Sequence, residues 1–131
     1  RGHEIKLSST GMPLPYKKWS RNVKKKELSY RNFFTGCGGV LYPPKVLDER
    51  VLDSERFTEI CSHGDDIWFW GMSVLNNRKI NIINNSCFKL IHPENTQNNA
   101  LWLENDQGGR NNIMLERFFS EFSEIKNILI E

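Results

Sequence analysis

The stretch best suited to chemistry is Gly64-Asp65-Asp66-Ile67-Trp68-Phe69-Trp70, two adjacent acids followed by aromatics. A carboxylate that takes a proton from a substrate hydroxyl must be held rigidly within hydrogen-bond reach of it, and the first turn of a helix is such a mount. The same acids also stabilise a helix start through its dipole, by about 0.3–1 kcal/mol each, with no function attached. Neighbouring like charges raise one another's pKa, which moves one of the pair toward the range where a base works well. Trp68 and Trp70 lie two positions apart, so on a helix they cannot face the same way. Trp70 shares an apolar stripe with Ile67, Gly71, Val74 and Leu75. Trp68 is then the ring left to face a cleft and stack on the C–H surface of a sugar, with a place in the core as the alternative.

Gly36, Gly38 and Gly39 are three glycines in four positions, which implies close approach of the backbone to a ligand or another strand. Neither GxGxxG nor GK[ST] follows, so they are no dinucleotide or P-loop fingerprint. His63 is near enough in sequence to share a site with Asp65, and His92 stands before Pro93, where a metal or diphosphate could be met. A lone histidine is more often structural or solvated, and His3 has still less to support a role.

Stepping outward from these residues, the patterning predicts the elements that carry them. A short strand over His3 to Leu7 is followed by a loop at residues 10–15. Residues 33–42 read as a buried strand interrupted by glycines and closed by Pro43-Pro44. A short turn or helix covers Lys45 to Leu52, and Ser54 caps a helix running through Cys61 and ending at His63-Gly64. Asp65 opens the next helix, which Asn76-Asn77 ends. Residues 79–91 read as a hairpin or two strands around Asn84-Asn85-Ser86, and 93–99 as a polar loop. Leu115, Phe118, Phe119, Phe122 and Ile125 fall at helical spacing and predict an amphipathic C-terminal helix from Asn111 to about Ile125. The fold class is α+β, without the regular βα alternation of a complete doubly wound sheet.

With 131 residues and 38% of them hydrophobic, the chain is one domain or part of one. Its formal charge of +2 excludes the global field of a nucleic-acid binder. The basic excess is local, at Lys17, Lys18, Arg21, Lys24, Lys25 and Lys26, and reads as a solvated loop or a patch for phosphates or an anionic membrane surface. Cys37, Cys61 and Cys87 are spaced for neither a disulfide framework nor a zinc site, which favours a reducing compartment.

Thr35-Gly36-Cys37-Gly38-Gly39-Val40-Leu41-Tyr42-Pro43-Pro44, then Phe57, then Gly64-Asp65-Asp66-Ile67-Trp68, resemble the C-terminal half of GT-A-fold glycosyltransferases, most closely bacterial enzymes of surface or capsular polysaccharide synthesis. Arg1-Gly2-His3-Glu4-Ile5, Pro15-Tyr16-Lys17-Lys18-Trp19, His92-Pro93 and Ala100-Leu101-Trp102 extend the likeness over most of the chain. The resemblance implies part of a mixed GT-A sheet with flanking helices, in an acceptor-side portion (residues 1–131) whose nucleotide-binding half is absent. Asp66 would be the general base of an inverting transfer and Asp65 would orient it or bind acceptor. Gly38 and Gly39 would admit the donor sugar, and His92 would approach a metal-bound diphosphate. It further implies a nucleotide-sugar donor, a glycan or lipid-linked acceptor, Mg²⁺ or Mn²⁺, and a cytoplasmic location at the inner face of the membrane. There is no DxD in these residues, so the main metal ligands would lie outside the chain, which alone would be inactive. A strand edge left open would favour a homodimer. The second reading is a non-catalytic carbohydrate-binding domain whose acids only cap a helix.

Overall fold

The computed structural model describes residues 1–24, 26–83, 93–96, 98 and 100–131. At its centre is the helix that the acid pair opens, α2, over Asp65–Leu75. Gly64 precedes it in an extended conformation, and beyond Asn76 a left-handed residue, Asn77 at φ 55°, ends it. The expected stripe of Ile67, Trp70, Gly71, Val74 and Leu75 is buried, and so are Trp68, Met72 and Ser73. A helix apolar on nearly every side is enclosed by its neighbours.

Those neighbours are mostly helical. Helix α1, Ser54–Cys61, has the expected bounds, but its cap is Asp53, whose carboxylate accepts from the Arg56 N–H at 3.0 Å. Helices α3 (Arg110–Glu121) and α4 (Ile125–Ile130) replace the single C-terminal helix of the sequence reading. The chain leaves helical geometry at Phe122 (φ −112°, ψ 66°), yet Leu115, Phe118, Phe119, Phe122 and Ile125 are all buried. One stripe thus serves two helices because Phe122 remains in the core across the break. Gly71 allows the closest contact, since the Phe118 ring fills the space a β-carbon would take. Each large side chain fully buried in this layer contributes about 1.5–3 kcal/mol.

The described strands pair only antiparallel, in two sheets of two strands each. Strand β1, Gly2–Glu4, begins one residue before the expected strand and pairs with β3, Asn32–Phe34, in the register Gly2↔Phe34. Strand β2, Lys26–Ser29, pairs with β4, Ile80–Ile82. The buried Asn32 amide joins the two sheets, donating to the Glu27 and Ile80 carbonyls at 2.7 Å each. The architecture is therefore α+β, with sheets smaller than the mixed one expected.

The glycine-interrupted strand stops at Phe34, Gly36–Gly38 form a 3₁₀ turn, and Gly39 takes φ 84°. The Gly36 N–H is bonded to a side chain, so no strand ladder continues there. A second 3₁₀ turn, Glu49–Leu52, occupies the predicted turn before α1. The proposed hairpin turn at 84–86 and His92 lie outside the described residues, whereas Pro93 to Thr96 are exposed, as expected of a polar loop. Among the described residues no helix is long and apolar enough to cross a membrane.

Candidate functional site

The first turn of α2 presents its two acids differently. Asp65 is exposed, whereas Asp66 is partly covered and its Oδ1 accepts the Gly36 N–H at 2.6 Å. Among the described residues Oδ2 has no hydrogen-bond partner, so one oxygen is anchored and the other remains available. Burial pushes the Asp66 carboxyl above the ordinary carboxylate range. The Gly36 N–H opposes that rise, and the Asp65 charge adds to it.

The anchor explains one glycine. A β-carbon on Gly36 would stand 3.2 Å from Asp66 Oδ1, tight enough to disturb the bond. At Gly38 the close approach expected from sequence is to the chain's own backbone, because Arg1 occupies the β-carbon position. Gly39 has open space around that position. Both Gly38 and Gly39 line a groove of about 470 Å³ that also takes in Phe34, Val40, Tyr42 and Ile80. The groove is mainly apolar, with Leu41 at its exposed edge and Arg78 and Lys79 among the residues around it. Tyr42 lines this groove, and its hydroxyl is pushed up to about 12 by burial and then by the charges of Asp66 and Asp65.

Trp68 departs from its expected role. It is 1% exposed, packed edge-on against Phe57, Phe118 and Phe122, and its Nε1 donates to the Val51 carbonyl at 3.2 Å. The ring has no face for a sugar. The single-stripe argument failed because α2 is enclosed on the side of α1 as well as that of α3. His63 is exposed and shares a hydrogen bond with Ser62, and His3 is 3% exposed within the core.

Residues distant in sequence complete the surroundings of the acid pair. A π-helical turn, Leu103–Gln107, lies beside the start of α2, where the Asn105 amide donates to the His63 carbonyl at 2.5 Å. Arg21 pairs with Asp106 at 2.7 Å and places its guanidinium 5.4 Å from the centre of the Tyr16 ring. The basic segment is thus partly consumed internally: Lys26 meets Glu4 at 3.3 Å and Lys17 reaches the Gln107 carbonyl at 3.4 Å. Tyr16 had entered only through the resemblance, and Arg21 only as one of a basic cluster. Asn105 and Asp106 carried no local signal, although a π turn in a folded domain is itself associated with functional sites.

The described residues contain no group of three or more His, Cys, Asp or Glu side chains able to hold a metal. Comparison of the chain with protein families, with curated proteins and with solved structures gave no match.

Proposed function

We propose that this chain is the acceptor-side part of an inverting, nucleotide-sugar-dependent glycosyltransferase with a GT-A-like catalytic domain, and that Asp66 is its general base. The observation that carries this reading is the state of the Asp66 carboxylate. One oxygen is fixed by the Gly36 N–H, the other is unbonded, and partial burial raises its proton affinity. A base that removes an acceptor proton during attack on the anomeric carbon needs those three properties together. Asp65, exposed beside it, would engage the acceptor, and Gly39 with Gly38 would border the space for the donor sugar.

In one displacement, the acceptor oxygen loses its proton to Asp66 Oδ2 as it bonds the anomeric carbon, while the nucleoside diphosphate leaves from the opposite side. Asp66 orients the nucleophile through a carboxylate that cannot rotate without breaking its Gly36 bond. A divalent cation would neutralise the leaving diphosphate, using ligands beyond those described here, and no step of this chain's own residues passes through it. The acceptor is a glycan or lipid-linked saccharide, and the enzyme would work at the cytoplasmic face of the membrane.

The test is glycosyl transfer by the full-length protein that carries this chain, assayed with a panel of nucleotide sugars, wild type against Asp66→Asn. Asn keeps the Gly36 bond and removes the base, so turnover should fall by about two to four orders of magnitude with donor binding preserved. Unchanged turnover would remove Asp66 from that role. A wild type that binds saccharides yet transfers from no donor would instead favour a non-catalytic carbohydrate-binding domain.

A further inference from the structure

Single apolar side chains scattered over a surface are ordinary, whereas a cluster of them around one opening marks a contact surface. Among the described residues nine large hydrophobic side chains are exposed, and four of these, Leu28, Leu41, Tyr42 and Ile83, line the 470 Å³ groove. Leu41 is 91% exposed, Ile83 73% and Leu28 63%, so most of each side chain stands in water beside an opening that is itself mainly apolar. The three come from separate parts of the chain, strand β2, the residue after β4 and the segment after the glycine turn. None of them belongs to the core, so the fold gives no reason for gathering them here.

The charges around the same opening are of one sign. Arg1, Arg78 and Lys79 line it, and among the described residues no aspartate or glutamate does. The Lys79 ammonium lies 5.1 Å from the centre of the Tyr30 ring, and the Arg78 guanidinium meets no carboxylate among the described residues. The basic segment at residues 17–26 differs, because Asp106 pairs with Arg21, Glu4 pairs with Lys26, and the Gln107 carbonyl takes Lys17. A nucleic acid would match the cations of the groove and leave its apolar rim in water. An anionic bilayer surface matches both, with headgroup phosphates for the cations and an acyl boundary a few ångströms deeper for the aliphatic side chains.

We propose that the rim of this groove is the face by which the protein docks on an anionic membrane. Leu28, Leu41 and Ile83 enter the boundary between headgroups and acyl chains, and Arg78 and Lys79 meet lipid phosphates. The inference goes beyond the glycosyltransferase reading and stands without it. Where both hold, the donor sugar sits on the Asp66 side of the glycine turn and the membrane on the groove side.

The experiment is co-sedimentation of the full-length protein that carries this chain with phosphatidylcholine vesicles, with and without phosphatidylglycerol. Binding should require phosphatidylglycerol and weaken as salt is raised. Leu41→Ser should lower the partition coefficient about tenfold and Arg78→Gln about fivefold. Both residues are exposed, so neither change disturbs the fold. Leu52→Ser and Lys18→Gln alter side chains that are also exposed but lie outside the groove, and should leave binding unchanged. A partition coefficient lowered by Lys18→Gln and unmoved by Leu41→Ser would transfer the contact to the basic segment and overturn the proposal. A wild type that binds neither vesicle would overturn it too, and a dimer that Leu41→Ser dissociates would then make the groove an interface between copies. Sedimentation reads no glycosyl transfer, so full turnover by Asp66→Asn would count against the enzyme reading alone.

Discussion

The body of α2 and its first turn sit in contrasting surroundings. Along its body, Trp70 is fully buried among Phe33, Phe118 and Phe119, and its Nε1 donates to the Tyr30 carbonyl at 3.3 Å. Trp68 is equally enclosed and hydrogen-bonded. Around its first turn, Asp66 keeps an oxygen unbonded among the described residues, and the Asn105 amide that reaches the His63 carbonyl just before the helix leaves its buried Oδ1 without a partner. One helix is therefore satisfied along its packed body and left with an unpaired carboxylate oxygen at its first turn. Local departure from consistency is what a site built for a ligand looks like.

The contrast can be broken most forcefully from the packed side. Trp70→Ala should cost about 3–5 kcal/mol, measured by urea unfolding, because the cavity it leaves is walled by aromatic rings of β3 and α3. A loss under about 1 kcal/mol would show that the body of α2 is not the anchor described here.

His3 tests the boundary between the two regions, since it lies between the Phe33 and Tyr16 rings. Burial first, then the charge of Arg21, lowers its pKa from 6.5 to about 4, and its Nδ1 accepts the Asn22 N–H at 3.0 Å. Because the unfolded chain binds this proton more readily, stability should be full above about pH 6.5. It should fall as the pH drops toward about 4, by up to about 3 kcal/mol. His3→Gln should flatten that window in pH-dependent unfolding, and an unaltered slope would place the acid sensitivity elsewhere.

Asp66 gives the smallest and most telling change in stability. Its folded pKa is raised, so the ionised form is the disfavoured one and stability should rise as the pH falls through that folded value. Asp66→Asn should therefore leave the fold at pH 7 as stable as wild type or slightly more so, and erase this acid-side gain. A clear loss of stability in the variant would mean that the carboxylate belongs to the supporting structure rather than to the cleft.

Where local pattern dominated, the sequence was a good guide. The bounds of α1 and α2 follow from His63-Gly64 and Asn76-Asn77, and the final apolar stripe named its buried residues correctly. What escaped was set by contacts far along the chain. Strand β2 has a single apolar residue, Leu28, and exists because β4 and the Asn32 amide satisfy it. The glycine stretch looked like a strand until the Asp66 side chain, 30 residues away, took the Gly36 N–H. Trp68 was misplaced because periodicity identifies a helix's apolar face but not how many neighbours surround it. Asp65 and Asp66 could be singled out from their own positions. No local pattern could show that Arg21 links the Tyr16 ring to Asp106, 85 residues along the chain from Arg21.

The Gly36–Gly39 turn has a mechanical consequence. One end of it grips the carboxylate of Asp66, while the other forms part of the wall of the 470 Å³ groove. The turn is a partition with a lever on one side, since anything seated in the groove that alters its pitch must either rotate the Asp66 carboxylate or break the bond that aims it. Filling the groove and aiming the acid are thus the same motion viewed from two sides.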